Sequence, residues 1–128
     1  MIVADASFFI ALADGKDKWH ASALKLKHRL QEEVVVSGLA VAEAVTVIGG
    51  RKGGKTASVM GEYFLDNCRI EFLDQRSFPD VLREHLRYDG RLSVSDVHSL
   101  SLMVALKVRE ILSFDSDFDR IKGIVRLH

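Results

Sequence analysis

The sequence predicts a three-layer α/β/α sandwich built around a central parallel sheet. Three observations carry that prediction. Short, wholly apolar segments such as Ile2-Val3-Ala4 and Val34-Val35-Val36 lack the polar alternation of a half-solvated strand, so they read as strands covered on both faces. Longer segments with apolar residues at helical spacing separate them, and strands that alternate with helices pair in parallel. The chain has 128 residues, of which 48% are hydrophobic and 28% charged. That suits one globular domain over residues 1–128, able to fold without a disulfide or structural metal.

Taken in order, Ile2–Ala4 is a buried strand closed by Asp5. From Asp17 to Glu33, Trp19, Ala23, Leu26 and Leu30 recur with lysines between them, which predicts one amphipathic helix. The β-branched triplet Val34–Val36 is the clearest strand signal. Ser37 then offers an N-cap to an apolar helix running to about Ile48. Gly49–Gly54 reads as a glycine-rich basic loop, Val59, Met60, Tyr63 and Phe64 as the next helix, and Ile70–Leu73 as a short strand. Pro79 opens a helix carrying Val81, Leu82, His85 and Leu86. Ser93 begins a longer one through about Val108, with Leu100, Met103, Val104 and Val108 expected to face inward. Ile111–Phe114 and Ile124–Leu127 close the chain as strands.

Charge and cysteine content narrow the functional classes. Eighteen basic side chains balance eighteen acidic ones, so attraction to an anionic partner must come from local patches. Cys68 is the only cysteine, which excludes an internal disulfide and any Cys/His zinc cluster and fits a reducing cytosol. The apolar N-terminus lacks a basic leader and is interrupted by Asp5, and Val34–Gly50 is short for a membrane span. The expectation is a soluble, cytoplasmic protein.

Four acidic residues stand out from this background. Asp5 and Asp115 each follow an apolar strand, at the edge where ligands collect in open parallel sheets. Each is equally suited to capping the next helix or turn. Glu43 is the only charge between Val34 and Gly50. A helix apolar nearly all round is expected to be buried, so Glu43 must be neutralised, salt-bridged or bound to a cation. Asp96 lies in Ser93-Val94-Ser95-Asp96, a capping-box pattern that alone explains it. Brought together, the four would form an all-oxygen site whose like charges raise some of their pKa values. Such a site suits hard Mg²⁺ or Mn²⁺, and its obvious use is phosphodiester hydrolysis. No serine or cysteine triad competes, because the five histidines are scattered singly.

The segments Ile2-Val3-Ala4-Asp5-Ala6-Ser7, Ala42-Glu43-Ala44, Ser95-Asp96 and Ser113-Phe114-Asp115-Ser116-Asp117-Phe118 resemble, in order and spacing, the acidic motifs of PIN-domain ribonucleases, most closely the VapC-type toxins of toxin–antitoxin pairs. The resemblance spans essentially the whole chain. It implies an Mg²⁺- or Mn²⁺-dependent endoribonuclease, a homodimer, and an antitoxin protein that inhibits the site. By the same resemblance Asp5, Glu43, Asp96 and Asp115 are the catalytic and metal-holding set, Ser7 and Ser113 orient it, and Asp117 supports it. PIN proteins of RNA processing that are not toxins are the alternative.

Three other patterns compete for attention. Gly49–Thr56 matches the phosphate-binding P-loop literally, but the segment before it reads as helix where that motif requires a strand. Arg51, Lys52 and Lys55 are better assigned to a flexible basic loop touching RNA phosphates, or to a solvated turn. The run from Asp115 starts like a calcium loop but has Arg120 at its sixth position and Arg126 at its twelfth, so it fails. Phe8, Phe9 and Trp19 are either core or base-stacking side chains.

Overall fold

A computed structural model describes residues 1–128. Its strands are β1 (Ile2–Ala4), β2 (Val34–Ser37), β3 (Arg69–Glu71), β4 (Glu110–Leu112) and β5 (Val125–Leu127). They form one parallel sheet in the order β3-β2-β1-β4-β5. The helices are α1 (Ala6–Ala13), α2 (His20–Leu26), α3 (Gly38–Lys52), α4 (Gly54–Asn67), α5 (Phe78–Arg87) and α6 (Val94–Leu106).

Alternation along the buried strands divides the core in two. Ile2, Ala4, Val34, Val36 and Leu112 point to one face and pack with Phe8, Phe9, Ala44, Ile48 and Phe64 from α1, α3 and α4. Val3, Val35 and Ile111 point to the other, against Val81, Val97, Leu100 and Met103 from α5 and α6. The predicted sandwich is therefore present, with both faces of the central strands fully covered. The chain leaves β1 toward β2 on one side and enters β4 on the other. The carboxyl ends of β1 and β4 thus meet at the point where the winding reverses, the usual location of a ligand crevice.

Several element boundaries differ from the sequence reading. The single helix expected over Asp17–Glu33 is split into α2 and a 3₁₀ turn, Lys27–Gln31. The expected loop at Gly49–Gly54 is helical almost throughout. Helix α3 continues through Lys52, and only Gly53, at φ 91°, breaks the chain before α4. Tertiary contacts override glycine's poor propensity there, since Arg51 on the last turn of α3 pairs with Asp14 and Asp17 beyond α1. Val104 is 79% exposed, not inward, because the buried stripe of α6 runs through Val97, Leu100 and Met103. β4 ends at Leu112, so Asp115 lies three residues past the strand. After Ser113, whose N–H still donates to the Leu127 carbonyl at 3.2 Å, the backbone bonds to side chains: the Phe114 N–H donates to Ser7 Oγ at 2.8 Å and the Asp115 N–H to Ser113 Oγ at 3.0 Å.

Candidate active site

Asp5 leaves β1 as the N-cap of α1, its Oδ1 accepting from the Phe8 N–H at 3.3 Å. Capping accounts for one hydrogen bond, and two serines account for the rest of its orientation. Ser7 Oγ donates to Oδ1 at 2.6 Å, and Ser113 Oγ, from beyond β4, donates to Oδ2 at 2.5 Å. These hydroxyls also accept the Phe114 and Asp115 N–H groups, which ties the ends of β1 and β4 together through one carboxylate. The Asp5 side chain is buried, and burial raises its pKa to about 6 against the hydrogen bonds that lower it. The like charge of Asp96 adds a smaller push.

The other three acids approach from different elements. Asp96 closes a capping box at the start of α6: its N–H donates to Ser93 Oγ and its carboxylate accepts the Ser93 N–H, both at 3.0 Å. Its pKa is raised by desolvation, opposed by those bonds to Ser93, with the charges of Asp115 and Asp117 adding to the rise. Asp115 caps the 3₁₀ turn Ser116–Arg120 and accepts the Asp117 N–H at 2.9 Å. Glu43 stands on α3 and is exposed, which corrects the expectation of a buried carboxylate. Only Ala40, Ala44 and Ile48 are buried on that helix; its small residues leave the opposite side in water without forming a large apolar patch. Partial desolvation of the Glu43 carboxyl raises its pKa, and the charges of Asp96 and Asp115 raise it further.

All four carboxylates line a single cleft of about 170 Å³, together with Ala6, Ser7, Ser93 and Ser95. No lysine or arginine is among its walls. Asp117 stands apart, lining a neighbouring crevice with Arg87, Arg91 and Arg120. No three acidic, histidine or cysteine side chains form a preformed metal-holding group. The donor set nonetheless fits a hard divalent ion in chemistry: it is all oxygen, has no lysine or arginine among its walls, and its like charges raise pKa values.

The chain matches the PIN domain family over residues 2–124. It is a member of that family. Among solved structures, this PIN domain is similar to that of VapC20 from Mycobacterium tuberculosis, a toxin that cleaves the sarcin–ricin loop. The two share 25% identity and a TM-score of 0.87, over 98% of this chain and 97% of that one. No curated protein sequence matches the chain.

Within this PIN domain the P-loop pattern has no P-loop structure. Gly49–Lys52 is the last turn of α3, so helix and not strand precedes Gly54–Thr56. The basic trio is not a flexible loop either. Arg51 Nη1 reaches Asp17 Oδ2 at 2.9 Å and Asp14 Oδ2 at 3.2 Å, Lys52 lies 3.7 Å from Asp14, and Lys55 sits in the first turn of α4. Phe8 and Phe9 are core, whereas Trp19 is 40% exposed. Burial pushes the Cys68 thiol up to about 11, which disfavours the thiolate that a nucleophile needs.

One site residue escaped the sequence reading. Arg126, on β5, pairs both arms of its guanidinium with Asp119 at 2.8 Å and donates from Nη1 to the Ser113 carbonyl at 3.3 Å. It is the cation behind the carboxylates, supporting the turn that carries Ser113 and Asp115. An arginine placed between Val125 and Leu127 in a short apolar terminal strand was the available signal. No helix is long and apolar enough to cross a membrane.

Proposed function

We propose that this PIN-domain protein is an endoribonuclease of the VapC toxin type, in which Asp5, Asp96 and Asp115 hold a divalent ion and Glu43 completes the set. The observation that carries the reading is the cleft itself. Four carboxylates from four separate elements face one space, and no side-chain cation neutralises them there. An internal salt bridge, the alternative for Glu43, is absent at these four residues.

When bound, Mg²⁺ or Mn²⁺ supplies a water of lowered pKa and positive charge for the oxygens of an in-line phosphodiester displacement. The protein's own groups do the remaining work. Ser7 and Ser113 fix both oxygens of Asp5, so that the carboxylate keeps one orientation. The Ser93–Asp96 capping box fixes the second acid at the helix mouth. Glu43, exposed at the rim with a raised pKa, is suited to accept the proton of the attacking water at its carboxylate. Ser113 joins Asp5 to the Asp115 turn, and Arg126 holds that turn from behind.

The partners that follow are an RNA substrate, a cognate antitoxin protein and a second copy of the chain as a homodimer. The fold neighbour cleaves the sarcin–ricin loop, which makes an RNA of that loop the first substrate to try.

Cleavage of RNA by the purified protein tests the reading. Activity should vanish with a chelator, return with Mg²⁺ or Mn²⁺, and fall at least about a hundredfold in Asp5→Asn and in Asp96→Asn. Cleavage that persists in chelator, or at the wild-type rate in Asp5→Asn, refutes it.

A further inference from the structure

Ser7 and Asp115 line a second cleft as well, of about 390 Å³, so it adjoins the carboxylate cleft directly. Its other walls include Trp19, Phe114, Arg51 and Asp17. Trp19 is the chain's only tryptophan and is 40% exposed. Its indole is not loose: the ring lies parallel to Phe114, with centroids 5.5 Å apart and 2° between planes, and Phe114 is itself buried against Phe8. The result is a rigid aromatic platform whose lower face is fixed by the core. The exposed Lys18 lies with its Nζ 5.1 Å from the ring centroid and is not among the walls of the cleft.

Arg51 completes the second cleft in an unusual state. Its Nη1 is committed to Asp14 and Asp17, so two carboxylates already balance its charge. Neither Nε nor Nη2 has a protein partner among its hydrogen bonds. A neutralised guanidinium beside Asp17 and Asp115 is a poor phosphate trap. An aromatic face next to uncommitted N–H donors suits a flat, uncharged ring with acceptor atoms on its edge.

On the ribonuclease reading, we infer that the second cleft receives a nucleobase of the RNA adjoining the scissile bond, stacked on Trp19 with its acceptor edge toward Arg51. Unpaired bases stack on aromatic side chains, and arginine reads base acceptors by hydrogen bonds. The shared walls Ser7 and Asp115 then place the neighbouring phosphodiester at the carboxylates.

The lone tryptophan makes the inference directly measurable. A short single-stranded oligoribonucleotide of mixed sequence is titrated, with Mg²⁺ present, into Asp5→Asn protein, and tryptophan emission is followed. Saturable quenching is expected, and an abasic sugar–phosphate oligomer of the same length should not produce it. In cleavage assays of otherwise wild-type protein, Trp19→Leu, which keeps an apolar cover over Phe114, should raise KM roughly tenfold with the loss on KM and not on kcat. Trp19→Phe should recover most of that loss. Unchanged emission on oligoribonucleotide binding, equal quenching by the abasic oligomer, or a wild-type KM in Trp19→Leu would overturn the base site while leaving metal-dependent cleavage intact. Failure of the wild-type protein to cleave any RNA would end the ribonuclease reading instead, and quenching would still decide the base site.

Discussion

Asp5→Asn should make the protein more stable while it removes activity, and the size of the gain can be worked out from the site. The Asp5 pKa stands at about 6 in the folded protein against 3.8 ordinarily, with burial as the main cause. A difference of about two pH units in proton affinity is worth about 3 kcal/mol. The sign follows from which state holds the proton more tightly. Below about pH 4 the carboxyl is protonated in both states and carries no penalty. As pH rises to about 6 the unfolded chain ionises first, so stability falls, and above that the full penalty persists. Asparagine has no such titration. It loses one acceptor, so either Ser7 or Ser113 must turn its hydroxyl to receive an N–H, at a cost of about 1 kcal/mol. The net gain near pH 8 is about 2 kcal/mol, or a Tm increase of about 6 °C for a chain of this size. Thermal unfolding of both proteins between about pH 4 and about pH 8, without metal, measures it. The gap should be widest at high pH and close or reverse at the acid end. A variant that melts below wild type near pH 8, or a gap independent of pH, refutes the assignment of Asp5 as a strained, orientated carboxylate.

Three further outcomes are expected. Ser113→Ala removes the donor to Asp5 Oδ2 and the acceptor of the Asp115 N–H, so the Asp5 pKa should climb and the acid limb of the pH dependence of kcat/KM should move to higher pH. Glu43→Gln, at an exposed position without an ion pair, should leave stability within about 0.5 kcal/mol while cleavage falls about a hundredfold, as urea unfolding and initial rates will show. Gly53→Ala forces a side chain into φ 91° and ψ 167°, a region natural only to glycine, and should cost about 1–3 kcal/mol, read as a lower urea midpoint.

The parts of the fold that were legible from sequence are those with no competing influence. Val34–Val36 and Ile2–Ala4 are wholly buried, so apolar runs located both strands closely. The strands at the two sheet edges drifted by one or two residues, because Arg69, Glu71 and Val125 are partly solvated and blur the pattern. The order of the acidic motifs pointed to one cleft, which is where the structure brings the four carboxylates. Their individual environments were less readable. Glu43 looked buried because Leu39, Val41, Ala42, Ala44, Val45 and Val47 flank it in sequence, yet the buried stripe of α3 runs only through Ala40, Ala44 and Ile48 and leaves Glu43 in water. Gly49–Gly54 looked like a loop because glycine density outweighs a distant partner in any local reading. The ion pairs from Arg51 to Asp14 and Asp17, 37 and 34 positions away, are invisible at that range. Trp19 fell on the apolar spacing of a helix that does not extend to it, so its exposed platform over Phe114 emerged only in three dimensions.

Crystals soaked in Mn²⁺ and examined at the manganese absorption edge test the central claim most directly. An anomalous peak within bonding distance of Asp5, Asp96 and Asp115 oxygens, lost in Asp5→Asn crystals, is the expected result. A protein that cleaves RNA only with Mn²⁺ yet shows its ion elsewhere on the surface would contradict the proposed role of these carboxylates.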